Sequence, residues 1–186
     1  MKNVLIISGH TDLNNSVANK TIMEELEKKI HEAEIVYLDK LYSSDFKIDV
    51  VREQERLLKA DTIVLQFPIF WYAMPSLMSR WIEETFLYGF SHGETGDKLK
   101  GKSLIASFTT GAPENLYHKE AIMGYEIEEF LNPIKATCNL CGMEFAGYVY
   151  TDAVSYQSRK DIGKIIETKE KAKSHANKVF ELVKKL

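Results

Sequence analysis

Three stretches of this 186-residue sequence carry side chains whose types and spacing could do chemistry. In the first, Ser8-Gly9-His10 runs through polar residues to Ser16, which stands directly before an apolar repeat of helical spacing. Serine is a favoured helix N-cap. The free N–H groups and positive dipole end of a helix start also suit an anion such as phosphate. A plain cap accounts for Ser16, and a turn histidine for His10, as readily as ligand binding does. The second stretch is Gln66 to Pro75, where Pro68-Ile69 leads into Phe70-Trp71-Tyr72 and Pro75 then opens a helix. Taken alone, those aromatics fit ordinary core and a platform for a flat ligand equally well. The third, Thr109-Thr110-Gly111-Ala112, pairs hydroxyls with small residues that let a flat molecule approach the backbone.

Other chemistries lack their signatures. No GxGxxG or GxxxxGK[ST] loop occurs, no GxSxG elbow, and no HExxH pair among His10, His31, His92, His118 and His175, so no catalytic metal is expected. Cys138-Asn-Leu-Cys141 has no second cysteine pair for a structural zinc site. It closes a helical stretch rather than starting one, as a reactive dithiol would, so buried packing is the preferred reading. Met74 and Met78 read as core and pocket filler, and the run Lys164 to Lys173 as the solvated face of a helix.

Elements that would position the three stretches follow from periodicity. Val4 to Ile7, Glu34 to Leu38, Thr62 to Phe67, Ser103 to Thr109 and Met143 to Val149 read as strands, the apolar runs being those of parallel strands buried on both faces. Helices are expected from Ser16, over about Val51 to Lys59, from Pro75, around Glu120 to Leu131, and from about Ser158 to Lys185. Leu41 to Val50 reads as irregular. Asn132-Pro133 is expected to interrupt the fourth helix, with a further turn or two over Ile134 to Leu140. Alternation of this kind implies a parallel sheet with helices on both faces, a three-layer α/β sandwich, in one domain over residues 1–186. The loops after strands one, three and four would then meet at one sheet edge. A composition of 45% hydrophobic and 27% charged residues is that of a soluble globular protein, and a net charge of −3 gives no hint of nucleic acid. No apolar run is long enough to span a bilayer and no signal peptide is read, so a cytoplasmic protein is expected.

One phosphate loop and two loops for a flat ring imply a flavin mononucleotide site. Around those loops the sequence resembles the flavodoxin-like NAD(P)H quinone oxidoreductase family over nearly its whole length. The resemblance rests on His10 with Ser16-Val17-Ala18-Asn19, Asp45-Phe46-Lys47-Ile48-Asp49, Phe67 to Pro75, Trp81-Ile82-Glu83, Phe90-Ser91-His92-Gly93 and Thr109-Thr110-Gly111. It looks nearest to short bacterial members, among them ancillary flavoproteins of glutathione-gated potassium efflux systems and stress-associated oxidoreductases.

The resemblance implies a flavodoxin-like sheet in the order 2-1-3-4-5. His10, Ser16, Val17 and Asn19 would form the flavin phosphate loop, and Pro68, Ile69, Phe70, Trp71 and Tyr72 would hold the ring. Thr109, Thr110, Gly111 and Ala112 would lie around its pyrimidine end. Tyr117 would be the catalytic tyrosine, a hydrogen-bond donor that steadies charge during hydride transfer. Trp71 and Tyr72 would wall the substrate pocket, completed in a homodimer by positions such as His92 and Leu140.

Three departures stand out. Ala112-Pro113 replaces a glycine run, and Met123 stands where the animal enzymes have a histidine six residues after the tyrosine, with His118 nearby in sequence. The extra carboxyl-terminal region of the animal enzymes is missing, which favours FMN over FAD. The implied activity is two-electron transfer from NAD(P)H through flavin N5 to quinones or similar flat acceptors, by a ping-pong exchange. A different class of function is a regulatory subunit of a potassium efflux transporter, peripheral at the inner membrane face. A one-electron flavodoxin carrier fits less well, because such carriers tend to be strongly acidic.

Overall fold

The computed structural model describes residues 2–42, 45 and 47–186, and Ser158 without its side chain. Five stretches of β-compatible sequence, Val4–Ser8 (β1), Glu34–Tyr37 (β2), Thr62–Pro68 (β3), Ser103–Thr109 (β4) and Glu144–Thr151 (β5), form one sheet. All neighbours pair in parallel, in the order β2-β1-β3-β4-β5. Between them run helices α1 (Val17–Lys29), α2 (Leu38–Leu41), α3 (Val50–Lys59), α4 (Ser76–Thr85), α5 (Asn132–Cys141) and α6 (Ile162–Lys184).

Every residue of β1, β3 and β4 is buried, because helices cover both faces of these strands. Successive side chains point to opposite faces. Leu5, Ile7, Ile63, Leu65, Phe67, Leu104 and Phe108 pack with Leu57 of α3, Met78 and Trp81 of α4, and Ile134 of α5. Val4, Ile6, Val64 and Ile105 pack with Ile22 and Leu26 of α1 and with Ala172, Ala176 and Val179 of α6. Each fully buried aliphatic side chain contributes ~1.5–3 kcal/mol. Where β1 ends, Gly9 lets the backbone approach α4, since a Cβ there would lie 2.4 Å from Met78 Cε.

The structure departs from the sequence expectations in five places, one being that Leu38, expected to end the second strand, opens the short helix α2. No α-helix forms over Glu120 to Leu131. Residues 118–126 make turns, with Gly124 at φ 68°, and only Ile127–Leu131 winds, as a 3-10 helix. Ile122 and Tyr125 are exposed, so this segment has no apolar face to bury. Asn132-Pro133 starts α5 rather than interrupting a helix, because proline in a first turn gives up no hydrogen bond. The last helix begins at Ile162, capped by the Asp161 carboxylate on Lys164 N (3.1 Å), and Ile162 itself is exposed. β3 and β5 run further at their carboxyl ends, to Pro68 and Thr151.

The Cys138 and Cys141 side chains are buried at the end of α5, and burial pushes the Cys138 thiol up to about 11. That is the inert, packed state the sequence favoured. Phe46 of the Asp45–Asp49 motif lies outside the described residues. Among the described residues no helix is long and apolar enough to cross a membrane, and no cluster of three metal-ligating side chains occurs.

Candidate functional site

At the carboxyl ends of β1, β3 and β4 the chain leaves a cavity of about 480 Å³. It is lined by His10, Ser16, Val17 and Asn19, by Pro68, Ile69 and Phe70, and by Thr109, Thr110 and Gly111. These residues come from three loops far apart in sequence, and β1–β3–β4 pairing puts them side by side. Such a crevice beside the first strand is where open α/β sheets take their ligands.

The first wall is built for hydrogen-bond donation. Ser16 caps α1 by accepting from Asn19 N (3.2 Å), and its Oγ also accepts from Asn19 Nδ2 (3.2 Å). A hydroxyl has two acceptor sites and one proton, so Ser16 has only its O–H left for the cavity. His10 Nδ1 accepts from Asp12 N (3.0 Å), which leaves the proton of the neutral ring on Nε2. Burial lowers the His10 pKa, while Asp39 and Asp12 pull it the other way. The ring stands edge-on to Phe70, with centroids 5.6 Å apart, so the first two walls touch.

The aromatic turn has an unusual backbone. Phe70 N donates to Ala73 O (3.0 Å) and Ala73 N to Phe70 O (3.1 Å), with Trp71 at φ 49° and Tyr72 at φ 66° between them. Positive φ at both central positions is the signature of a type I′ turn, normally filled by Asn and Gly. Two bulky aromatics here carry a strain cost of about 1–3 kcal/mol each, of the kind that persists where a segment is used. Neither Trp71 N nor Tyr72 N has a backbone acceptor among the described residues. Ile69 N, donating to Thr109 O (2.8 Å), ties the turn to the third wall.

Four of the expected cofactor residues stand outside the cavity lining: Trp71, Tyr72, Ala112 and Tyr117. Trp71 is 93% exposed. Tyr72 stacks on Phe130 (centroids 5.6 Å), and Tyr117 meets the same ring edge-on at 5.9 Å. Phe130, which the sequence reading passed over, therefore joins the turn to Tyr117. Burial raises the Tyr117 pKa, and a hydrogen bond with Thr110 partly offsets the rise. His118 pairs instead with Glu126 (3.0 Å) at the surface. His92 Nδ1 sits 3.0 Å from Ser91 Oγ, Leu140 is 66% exposed on α5, and neither lines the cavity.

A fourth wall went unforeseen. Val154, Ser155, Tyr156 and Arg159, which follow β5, line the cavity with Ile165 and Thr168 of α6. The segment is anchored by Val154 N on Thr110 O (3.0 Å) and Ala153 N on Ala112 O (3.1 Å). Arg159 lies over the Tyr156 ring at 3.4 Å and shares the cavity lining with Ser16. The rule that selected the loops after β1, β3 and β4 applies equally to the loop after β5. Extending it there would have found Arg159.

The chain is similar to known proteins. The chain is 35% identical over 160 residues to the uncharacterized NAD(P)H oxidoreductase YrkL of Bacillus subtilis, covering 85% of this chain and 90% of that one. It is 37% identical over 142 residues to the glutathione-regulated potassium-efflux system ancillary protein KefF of an Enterobacter species, covering 76% and 78%. The general stress protein 14 of Treponema denticola, solved in complex with FMN, superposes with a TM-score of 0.86 at 25% identity, over 97% of this chain and 99% of that one. The family model described as flavodoxin-like fold matches residues 2–176, and this chain belongs to that family.

Proposed function

We propose that this chain is an FMN-dependent NAD(P)H oxidoreductase, with residues 1–186 acting as one flavin-binding domain. The observation that carries the reading is the mixed lining of the cavity: the Ser16 and His10 donors and Arg159 share it with Phe70, the first residue of the strained aromatic turn. That donor set fits a phosphate. Ser16 can only donate, His10 presents Nε2–H, and the α1 start adds its dipole and first-turn N–H groups. Asp12, also on the lining, is engaged by Asn15 Nδ2 (2.6 Å). FMN, when bound, supplies reversible two-electron hydride chemistry at its ring.

The chain's own residues would bind and orient. Amides of Trp71 and Tyr72 would donate to the polar edge of the ring and stabilise its anionic reduced form, as an oxyanion hole does for its charge. Trp71 and Tyr72 would shape one apolar space where nicotinamide and a quinone or similar flat acceptor take turns, giving ping-pong kinetics. Tyr117 would donate a hydrogen bond there, its raised pKa keeping it protonated. Exposure of Trp71 and Leu140 favours a homodimer in which His92 and Leu140 of one copy complete the pocket of the other.

The test is to purify the protein, record its flavin spectrum and assay quinone reduction with NADH and with NADPH, no partner protein being present. A flavin spectrum with NAD(P)H-driven turnover supports the reading, and a colourless protein that gains no flavin sinks it. Tyr117→Phe is expected to slow turnover several-fold with flavin still bound. Similarity to KefF supports a second role, as the ancillary subunit of a potassium efflux system. An efflux defect that a catalytically dead variant fully rescues would favour that role.

A further inference from the structure

Beneath the cavity, on the face covered by α1 and α6, a line of buried polar side chains crosses the sheet. Thr151 Oγ1 lies 2.8 Å from His175 Nδ1, and His175 Nε2 lies 2.7 Å from Ser107 Oγ. Ser107 in turn donates to Gln66 Oε1, Gln66 Nε2 donates to Asn19 Oδ1 (2.9 Å), and Asn19 Nδ2 donates to Ser16 Oγ (3.2 Å) and Thr109 Oγ1 (3.1 Å). Sheet register makes the line possible, because Gln66 of β3 sits directly beside Ser107 of β4. His175 is 1% exposed and reaches Ser107 from the middle of α6.

The direction of every link follows from the chemistry of the groups. Gln66 offers its carbonyl to Ser107, so the Ser107 proton is committed there and its oxygen must accept from His175. That requires the Nε2–H tautomer, which leaves Nδ1 to accept from Thr151. Burial, helped by Lys178, pushes the His175 pKa down to about 3, so the ring stays neutral and keeps one donor and one acceptor. From Thr151 to Asn19 the donors then point the same way, and the line ends on an acceptor site of Ser16, whose proton is left for the cavity, while Thr109 both accepts from Asn19 Nδ2 and turns its own hydroxyl back to Asn19 Oδ1 at 3.5 Å. Hydrogen bonds arranged head to tail in a low-dielectric interior polarise one another in that sense.

We propose that His175 and Ser107 are positioning residues that hold Ser16 as a donor-only hydroxyl for the phosphate of the cofactor. The inference rests on the flavin reading above. It deepens that reading by making a helix on one face of the sheet set the polarity of a loop it does not contain. Running the line in the opposite direction would turn the Ser16 proton inward and present a lone pair to an anion.

The experiment measures FMN and riboflavin affinity of the full chain, stripped of flavin, by fluorescence quenching. Ser107→Ala and His175→Leu are expected to weaken FMN about tenfold and riboflavin less than twofold, because riboflavin lacks the phosphate. His175→Gln, which keeps a donor and an acceptor on one planar group, is expected to restore most of the FMN affinity. Equal losses for both flavins, or none for either, overturn the proposal while leaving the flavin reading intact. A wild-type chain that binds neither flavin overturns both. Circular dichroism and thermal melts check folding, and if His175→Leu does not fold, Ser107→Ala decides.

Discussion

The two faces of the sheet each bury a polar network, and the two are built to opposite ends. On the α3 and α4 side, Glu53 is fully buried. It accepts from Tyr42 Oη (2.6 Å), from Trp81 Nε1 (2.9 Å) and from the Arg56 guanidinium, which also reaches Glu34 (2.7 Å). The partners satisfy one another, and none of them lines the cavity. On the α1 and α6 side the line from His175 to Asn19 ends on hydroxyls that do line it. A closed network locks helices onto the sheet, whereas an open one carries an orientation to a surface. Both bury polar atoms at a cost that only satisfied hydrogen bonds offset.

The largest effect expected from breaking this contrast is on the closed side. Glu53→Ala leaves the Trp81 N–H and the Tyr42 hydroxyl without their acceptor and the Arg56 guanidinium with Glu34 alone, and should cost about 3–5 kcal/mol of stability, as loss of one partner of a buried pair does. The ratio of FMN to riboflavin affinity should not move. A change in that ratio, with stability little altered, would erase the distinction between the networks.

Next comes a pH effect specific to the open side. His175 titrates near 6.5 when unfolded and near 3 when folded. Its contribution is therefore fully present above pH 6.5 and is lost as pH falls toward 3, because only the unfolded state takes up the proton. The loss between pH 6.5 and 5 should be about 1.6 kcal/mol, the slope approaching 1.36 kcal/mol per pH unit only below the unfolded pKa. Denaturant midpoints of His175→Gln should lack this part of the acid slope, and parallel curves for the two proteins would refute it.

Ser16→Ala should lose about 1 kcal/mol as a cap and weaken FMN more than riboflavin. Ser16→Gly should return most of the stability, because glycine is tolerated at a cap, without returning the affinity. The smallest effect is expected at Ser8, whose buried Oγ has no hydrogen-bond partner among the described residues although it sits in register with Gln66. Ser8→Ala should change stability by no more than about 0.5 kcal/mol and leave both flavins bound as before, since no bond is lost. A larger drop would place Ser8 in the line.

Much of the fold could be read because buried parallel strands declare themselves as apolar runs, as Val4 to Ile7 and Ser103 to Thr109 do. The helices were legible where one apolar face persisted, and the error around Glu120 came from apolar residues that share no face. The first, second and third walls of the cavity were legible for a local reason: each follows a strand directly. The fourth was passed over although the same rule reaches it. Neither His175 nor Phe130 announces itself. His175 looked like one of five unpaired histidines, and Phe130 like part of a helix.

The sequence by itself determined the alternation of strands and helices, the Ser16 cap and the aromatic turn, all of which depend on neighbours within a few residues. Only the tertiary structure decided that Ser107, Gln66 and His175 meet, and so which way the Ser16 proton points. Those contacts span 41 and 68 residues of chain. They exist because parallel pairing sets β3 beside β4 in one register and α6 packs over them, and no local pattern encodes that meeting.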